Sequence, residues 1–152
     1  MESRPALTLL DRIGAGPVAL DTCVFIYFME ASRDYLPALD PLFKKVDAGA
    51  LPAVTSSLTL LETLVVPYRV GDRDLAERYE RLLTGSRGLV CEPIGNQVLK
   101  AAAMIRATTG IQAPDALHLA TAIQAGCTSF VTNDRRLPSL DRLEIIQIDD
   151  CL

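Results

Sequence analysis

Short apolar runs separated by helix-length segments are what most restrict the folds open to this chain. They are PVAL at 17–20, LPAVTSS at 51–57, GLVCEPI at 88–94, TSFVTN at 128–133 and LEIIQID at 143–149. PVAL is apolar throughout, ends at Asp21 and leads into TCVFIYFME, so it reads as a buried strand passing into a helix. The other four read as strands two to five. Between them, Asp40 and Pro41 look like an N-cap and first helical residue, with Gly49 closing a short helix. LTLLETLVVPYRV is a helix that the preceding serines can cap. Asp72 or Gly71 restarts the chain as DRDLAERYERLL, which carries Leu75, Tyr79 and Leu82 on one side. NQVLKAAAMIRATT is closed by Gly110, and APDALHLATA runs on as another helix closed by Gly126. The order β-α-α-β-α-α-β-α-α-β-β predicts an α/β three-layer sandwich, with a mostly parallel central sheet of about five strands and helices on both faces.

A length of 152 residues suits one domain over 1–152. With 49% hydrophobic and 22% charged residues, and Gly and Pro scattered, the composition is globular. No apolar run approaches the ~20 residues of a membrane span, and Arg4, Pro5, Asp11 and Arg12 interrupt the N-terminal stretch. A cytoplasmic location is expected. Cys23, Cys91, Cys127 and Cys151 form no C-x-x-C pair and have a single histidine to complement them, which argues against a zinc site. Cys23 and Cys127 sit in apolar surroundings and read as small core residues.

Four acids stand where strands give way to other structure. Asp21 follows the first strand, Glu62 falls in the early turns after the second, Asp115 opens the helix that returns into the fourth, and Asp134 follows the fourth. Open α/β sheets place ligands at the carboxyl ends of their strands. Each acid also has a local reading: Asp21 as a helix cap, Asp134 as a turn residue beside Asn133, Asp115 as a first-turn acid after Pro114 at a first helical position. Glu62 lies among Leu60, Leu61, Leu64, Val65 and Val66, with Thr59 and Thr63 offering a polar flank. Together, four carboxylates at one edge would repel one another unless cations were present. All-oxygen ligation suits Mg²⁺ or Mn²⁺, and such ions activate water and polarise phosphorus, which makes phosphodiester hydrolysis the natural chemistry.

The segments VALDTCVFIYF, SSLTLLETL, APDALHLATA and FVTNDRRL, in this order from about residue 17 to about 149, resemble the four motifs of PIN-domain nucleases. The compact form is similar to the VapC-type toxins of toxin–antitoxin modules. The resemblance implies a Mg²⁺- or Mn²⁺-dependent endoribonuclease with Asp21, Glu62, Asp115 and Asp134 as catalytic and metal-holding acids. It makes Thr22 and Thr132 supporting hydroxyls. It further implies an RNA substrate, a cognate antitoxin and a homodimer. A catalytically silent PIN-fold protein acting through a partner is the alternative.

A formal charge of −4 opposes nucleic-acid binding at first sight, but setting the four acids aside leaves the chain neutral. Arg135 and Arg136 are the basic residues nearest in sequence, with Lys44, Lys45, Arg69 and Arg73 further off; each reads more readily as solvated surface than as an RNA contact. His118 reads as a structural side chain hydrogen-bonded near a helix end. A phosphoacceptor signalling module would need a lysine after a late strand, and none follows residue 100. A serine hydrolase would need a G-x-S-x-G elbow, which is absent from the sequence.

Overall fold

Residues 7–152 are described by a computed structural model, so Arg4 and Pro5 lie outside the described residues. In chain order the elements are α1 (Leu9–Ile13), β1 (Val18–Leu20), α2 (Thr22–Met29), α3 (Leu36–Asp47), β2 (Ala53–Ser56), α4 (Leu58–Val70) and α5 (Arg73–Gly85). β3 (Leu89–Glu92), α6 (Asn96–Thr109), α7 (Ala113–Gln124), β4 (Ser129–Thr132) and β5 (Glu144–Gln147) follow, and a 3-10 turn spans Ile148–Cys151. The five strands form one sheet in the order β3-β2-β1-β4-β5, parallel at every pairing.

Alternate residues along the strands face opposite layers, as strand geometry requires. Val18, Leu20, Ala53, Val131 and Ile146 join Val24, Phe25, Leu39, Leu42 and Leu83 in the core under α2, α3 and α5. Ala19, Val54 and Phe130 point the other way, into the core that α6 and α7 close with Val98, Ala102, Ile105, Leu119 and Ala120. Each middle strand is therefore buried on both faces, and this is why PVAL and SFVT carry no alternation of polar and apolar residues.

The predicted order holds, with two additions and three local corrections. The additions are α1 and the closing 3-10 turn, each too short to show a periodicity in sequence. The first correction is to α3, which starts at Leu36 rather than after Asp40: Pro37 occupies the proline-tolerant first turn, and Pro41 lies inside the helix. The second narrows the capping of α4, which begins at Leu58: of the two preceding serines it is Ser56 whose Oγ accepts from the Leu58 amide, at 3.1 Å, while the Ser57 side chain makes no cap bond. The third is in α7, where Pro114 is the second residue of a helix starting at Ala113. On α5, Tyr79 is buried as expected, but its companions are Ala76 and Leu83, with Leu75 and Leu82 only partly covered. Gly110 ends α6 in the left-handed conformation, φ +76°, which a glycine adopts without a Cβ clash.

Candidate active site

Strand order runs outward from β1 through β2 to β3 on one side and through β4 to β5 on the other. The β1/β4 boundary is thus the switch point of the sheet, where a crevice opens beyond the strand ends. Asp21 leaves β1 at this point. Its Oδ1 accepts from the Thr22 amide at 2.8 Å, capping α2, and its Oδ2 accepts from Thr132 Oγ1 at 2.7 Å across the boundary. The capping reading of Asp21 therefore holds through one oxygen, while the other reaches across the strand boundary to Thr132. Thr132 in turn accepts from the Asp134 amide at 3.0 Å.

Asp134 forms a turn with a residue later in the chain than Asn133. Its Oδ1 accepts from the Arg136 amide and from Arg136 Nε, both at 3.0 Å, while Oδ2 accepts from Arg136 Nη2 at 2.9 Å. The Arg136 guanidinium holds the Asp134 carboxyl below the usual carboxylate range. Arg135 pairs instead with Asp150 at 2.8 Å. Both arginines that sequence proximity suggested for RNA are thus ion-paired to acids of this chain.

Asp115 is the third residue of α7, where backbone amides and the helix dipole favour a carboxylate. Nevertheless its carboxyl is pushed above the ordinary range. Burial is the main cause, the negative charges of Asp134 and Asp21 add to it, and Arg136 and His118 offset it in part. Among the described residues, no hydrogen bond contributes to holding its charge.

Glu62 lies on the first turns of α4, a helix whose hydroxyl-bearing side is the buried one: Thr59, Thr63 and Pro67 face inward, while Leu61, Val65, Val66, Tyr68 and Val70 are exposed. Thr63 stays satisfied by donating to the Thr59 carbonyl at 2.8 Å. Glu62 Oε1 accepts from Thr22 Oγ1 at 2.9 Å and meets His118 Nε2 at 2.5 Å. The hydrogen bond from His118 is the chief cause that its carboxyl lies below the usual range, with burial opposing. A buried chain of hydroxyls continues behind it: Thr59 and Thr55 are 2.8 Å apart, and Thr55 donates to the Leu20 carbonyl at 3.0 Å. His118 is a hydrogen-bonded structural side chain, as its setting in ALHLATA suggested, but its partner is a candidate site acid. Thr59 showed in sequence only as a polar flank beside Glu62, while Thr55 and the intrachain role of Arg136 gave no signal, because one depends on a partner distant in the chain and the other on a turn geometry.

Among the described residues, no three of the His, Cys, Asp and Glu side chains come close enough together to hold one metal ion as placed. Glu62 is drawn toward His118 and Asp134 toward Arg136. The donor set still fits a hard divalent cation. It offers carboxylate oxygens only, Glu62 has one oxygen free of protein partners, and Asp115 carries a charge its surroundings disfavour. Cys23 and Cys127 contribute no such ligand: burial pushes the Cys23 thiol up to about 12 and the Cys127 thiol up to about 11.

The fold and these strand-end acids define an α/β sandwich with an acidic crevice at its switch point. A family model for the PIN domain matches residues 18–143, from the start of β1 to the residue before β5. The chain belongs to the PIN-domain family. Among solved structures it is similar to a toxin–antitoxin complex from Klebsiella pneumoniae, at 18% identity and a TM-score of 0.62, over 83% of this chain and 94% of that one. It is also similar to VapBC2 from Rickettsia felis bound to a DNA fragment from their promoter, at 16% identity and a TM-score of 0.62, over 86% of this chain and 97% of that one. DNA-bound VapBC from Salmonella typhimurium is a third, at 19% identity and a TM-score of 0.61, with the same two coverages. No curated protein matches the sequence.

Proposed function

We propose that this PIN-domain protein is a Mg²⁺- or Mn²⁺-dependent endoribonuclease and the toxin of a toxin–antitoxin pair. The observation that carries the chemistry is Asp115: a partly buried carboxylate beside Asp134 and Asp21, raised in pKa by all three influences and lacking a protein donor. Asp21, Glu62 and Asp115 would hold the cation, with Asp134 as a fourth acid that must first loosen its grip on Arg136. A divalent ion there supplies charge neutralisation of a phosphate and a lowered pKa for water. The chain's own residues supply orientation. Thr132 fixes one Asp21 oxygen, Thr22 fixes one Glu62 oxygen, and Arg136, exposed and next to Asp134, can release toward an incoming phosphate.

The partner reading draws on the VapBC complexes to which the fold is similar. Beside Glu62, a groove of about 540 Å³ between α2, α4 and α5 has an apolar lining that includes Ile26, Met29 and Leu75, with Glu30, Asp72 and Asp74 among its polar residues. An antitoxin segment carrying both apolar and basic side chains suits that lining. The exposed apolar side of α4, with Leu61, Val65 and Tyr68 at i, i+4 and i+7, is where we place the homodimer contact. No helix among the described residues is long and apolar enough to cross a membrane, and we place the protein in the cytoplasm with its RNA substrate.

One observation favours the catalytically silent alternative: Glu62 and Asp134 are already engaged by His118 and Arg136. Cleavage of a mixed cellular RNA pool by the purified wild type and by Asp115→Asn, each with EDTA, Mg²⁺ or Mn²⁺, separates the two. Discrete cleavage that needs both metal and Asp115 supports the nuclease. Absence of cleavage in every condition supports the partner-dependent binding protein.

A further inference from the structure

His118 follows Asp115 by three residues on α7, so the two side chains share a helix face. Their environments differ. Asp115 is partly accessible, whereas His118 is only 5% exposed and packs under α4 against Glu62. Both protein contacts to Glu62, from Thr22 Oγ1 and His118 Nε2, fall on Oε1; Oε2 has no hydrogen-bond partner among the described residues.

Counting protons along the buried chain shows how few donors can serve Glu62. Thr55 gives its hydroxyl proton to the Leu20 carbonyl, so in its 2.8 Å contact with Thr59 it must accept. Thr59 therefore spends its one proton on Thr55, and Thr22 spends its own on Glu62. The 3.3 Å contact between Thr22 and Thr59 is left without a proton, and the hydroxyl chain can send Glu62 nothing more. An ionised carboxylate only accepts, so the remaining donor is the Nε2–H of His118.

We propose that His118 is a positioning residue of the acidic site: together with Thr22 it pins Glu62 Oε1, leaving Oε2 as the single oxygen through which Glu62 meets a divalent cation. This rests on the metal-dependent reading above. The competing role is packing alone, with His118 filling space between α7 and α4. Packing alone would govern stability and leave the free oxygen of Glu62 unaffected.

Mn²⁺ binding to the metal-free full chain, followed by electron paramagnetic resonance or calorimetry, tells these roles apart. His118→Leu removes the donor while keeping an apolar side chain in a buried place, and His118→Gln restores an amide donor at comparable reach. Loss of a hydrogen-bond partner of a metal ligand weakens metal binding by about 10–100-fold, so His118→Leu is expected to bind Mn²⁺ at least tenfold more weakly, and His118→Gln to recover most of that loss. In a Glu62→Gln background, His118→Leu should change the affinity by less than about twofold, since the two residues act as one unit. Should the leucine variant not fold, His118→Asn serves, because its shorter amide falls short of Glu62 and should weaken Mn²⁺ binding in the same way.

Wild-type Mn²⁺ affinity in a folded His118→Leu or His118→Asn variant would overturn the inference. An equal loss with and without Glu62 would do so too, and would assign His118 to packing. A wild type that binds no Mn²⁺ would instead remove the metal-dependent reading itself, and the inference with it.

Discussion

Asp115 and Glu62 stand in opposite electrostatic situations, and their variants should move stability in opposite directions. Burial and the charges of Asp134 and Asp21 raise the Asp115 carboxyl, so the folded chain holds that proton more tightly than the unfolded chain does. The resulting cost is fully present above the folded pKa and is relieved as pH falls through it. Metal-free Asp115→Asn is therefore expected to melt about 1–2 °C higher than wild type at pH 7, the scale of a solvent-screened charge, with the gap closing in acid. Glu62 is the reverse case. Its carboxyl lies below the ordinary 4.5, chiefly through His118, so it stabilises the fold above that value and ceases to as pH falls through the lowered one. Glu62→Gln should melt lower than wild type at pH 7, with the deficit vanishing at the acid end of the same thermal scans. Arg136 holds Asp134 by a two-pronged ion pair, and removing it frees a carboxylate. Arg136→Ala is expected to tighten Mn²⁺ binding severalfold while weakening RNA binding, as measured by titration with each ligand separately.

Helices and strands set these side chains in place, and of the glycines Gly88, just before β3, leaves the least room for a Cβ. A Cβ there would lie 1.9 Å from the Val46 carbonyl oxygen at the end of α3, and backbone cannot swing aside as a flexible side chain can. Gly88→Ala should cost about 1–3 kcal/mol or more in urea unfolding, by forcing α3 away from the sheet edge. Such a contact is invisible in sequence, whereas much of the element layout is not. Helix α4 was legible to its end residues, since Gly71 takes the left-handed cap at φ +72° and strand β2 precedes it closely. Its orientation was not legible. Hydropathy would bury Leu61, Val65 and Val66, but the protein buries Thr59 and Thr63, whose hydroxyls find partners in Thr55 and the α4 backbone. The start of α3 was misplaced for a related reason: Asp40-Pro41 has the local chemistry of a helix start, and only packing of Leu39 and Leu42 in the core extends the helix back to Leu36. Asp21, Asp115 and Asp134 were visible as strand-end acids because strand ends are written in local composition. His118's engagement of Glu62 joins residues 56 positions apart, which no local pattern records.

At the scale of the whole molecule, the exposed apolar side of α4 and the net acidic charge pull toward different partners. The apolar side, uncovered in the single chain, should bring two copies together. Light scattering is expected to give twice the 16.5 kDa chain mass, and Val65→Lys with Tyr68→Glu to return it to one chain with unchanged circular dichroism. A wild-type mass of one chain would leave that side for another partner. Asp21, Asp134 and Asp115 influence one another beside the β1/β4 switch point, where we propose a divalent cation. Thermal melting with and without Mn²⁺, in wild type and in Asp115→Asn, tests that claim most directly. Binding at about 100 times the dissociation constant contributes about 2.7 kcal/mol, or roughly 5–10 °C for a chain of this size, so the wild type should rise by that amount and Asp115→Asn by much less. Equal shifts in the two proteins, or no shift in either, would contradict a cation site built on Asp115.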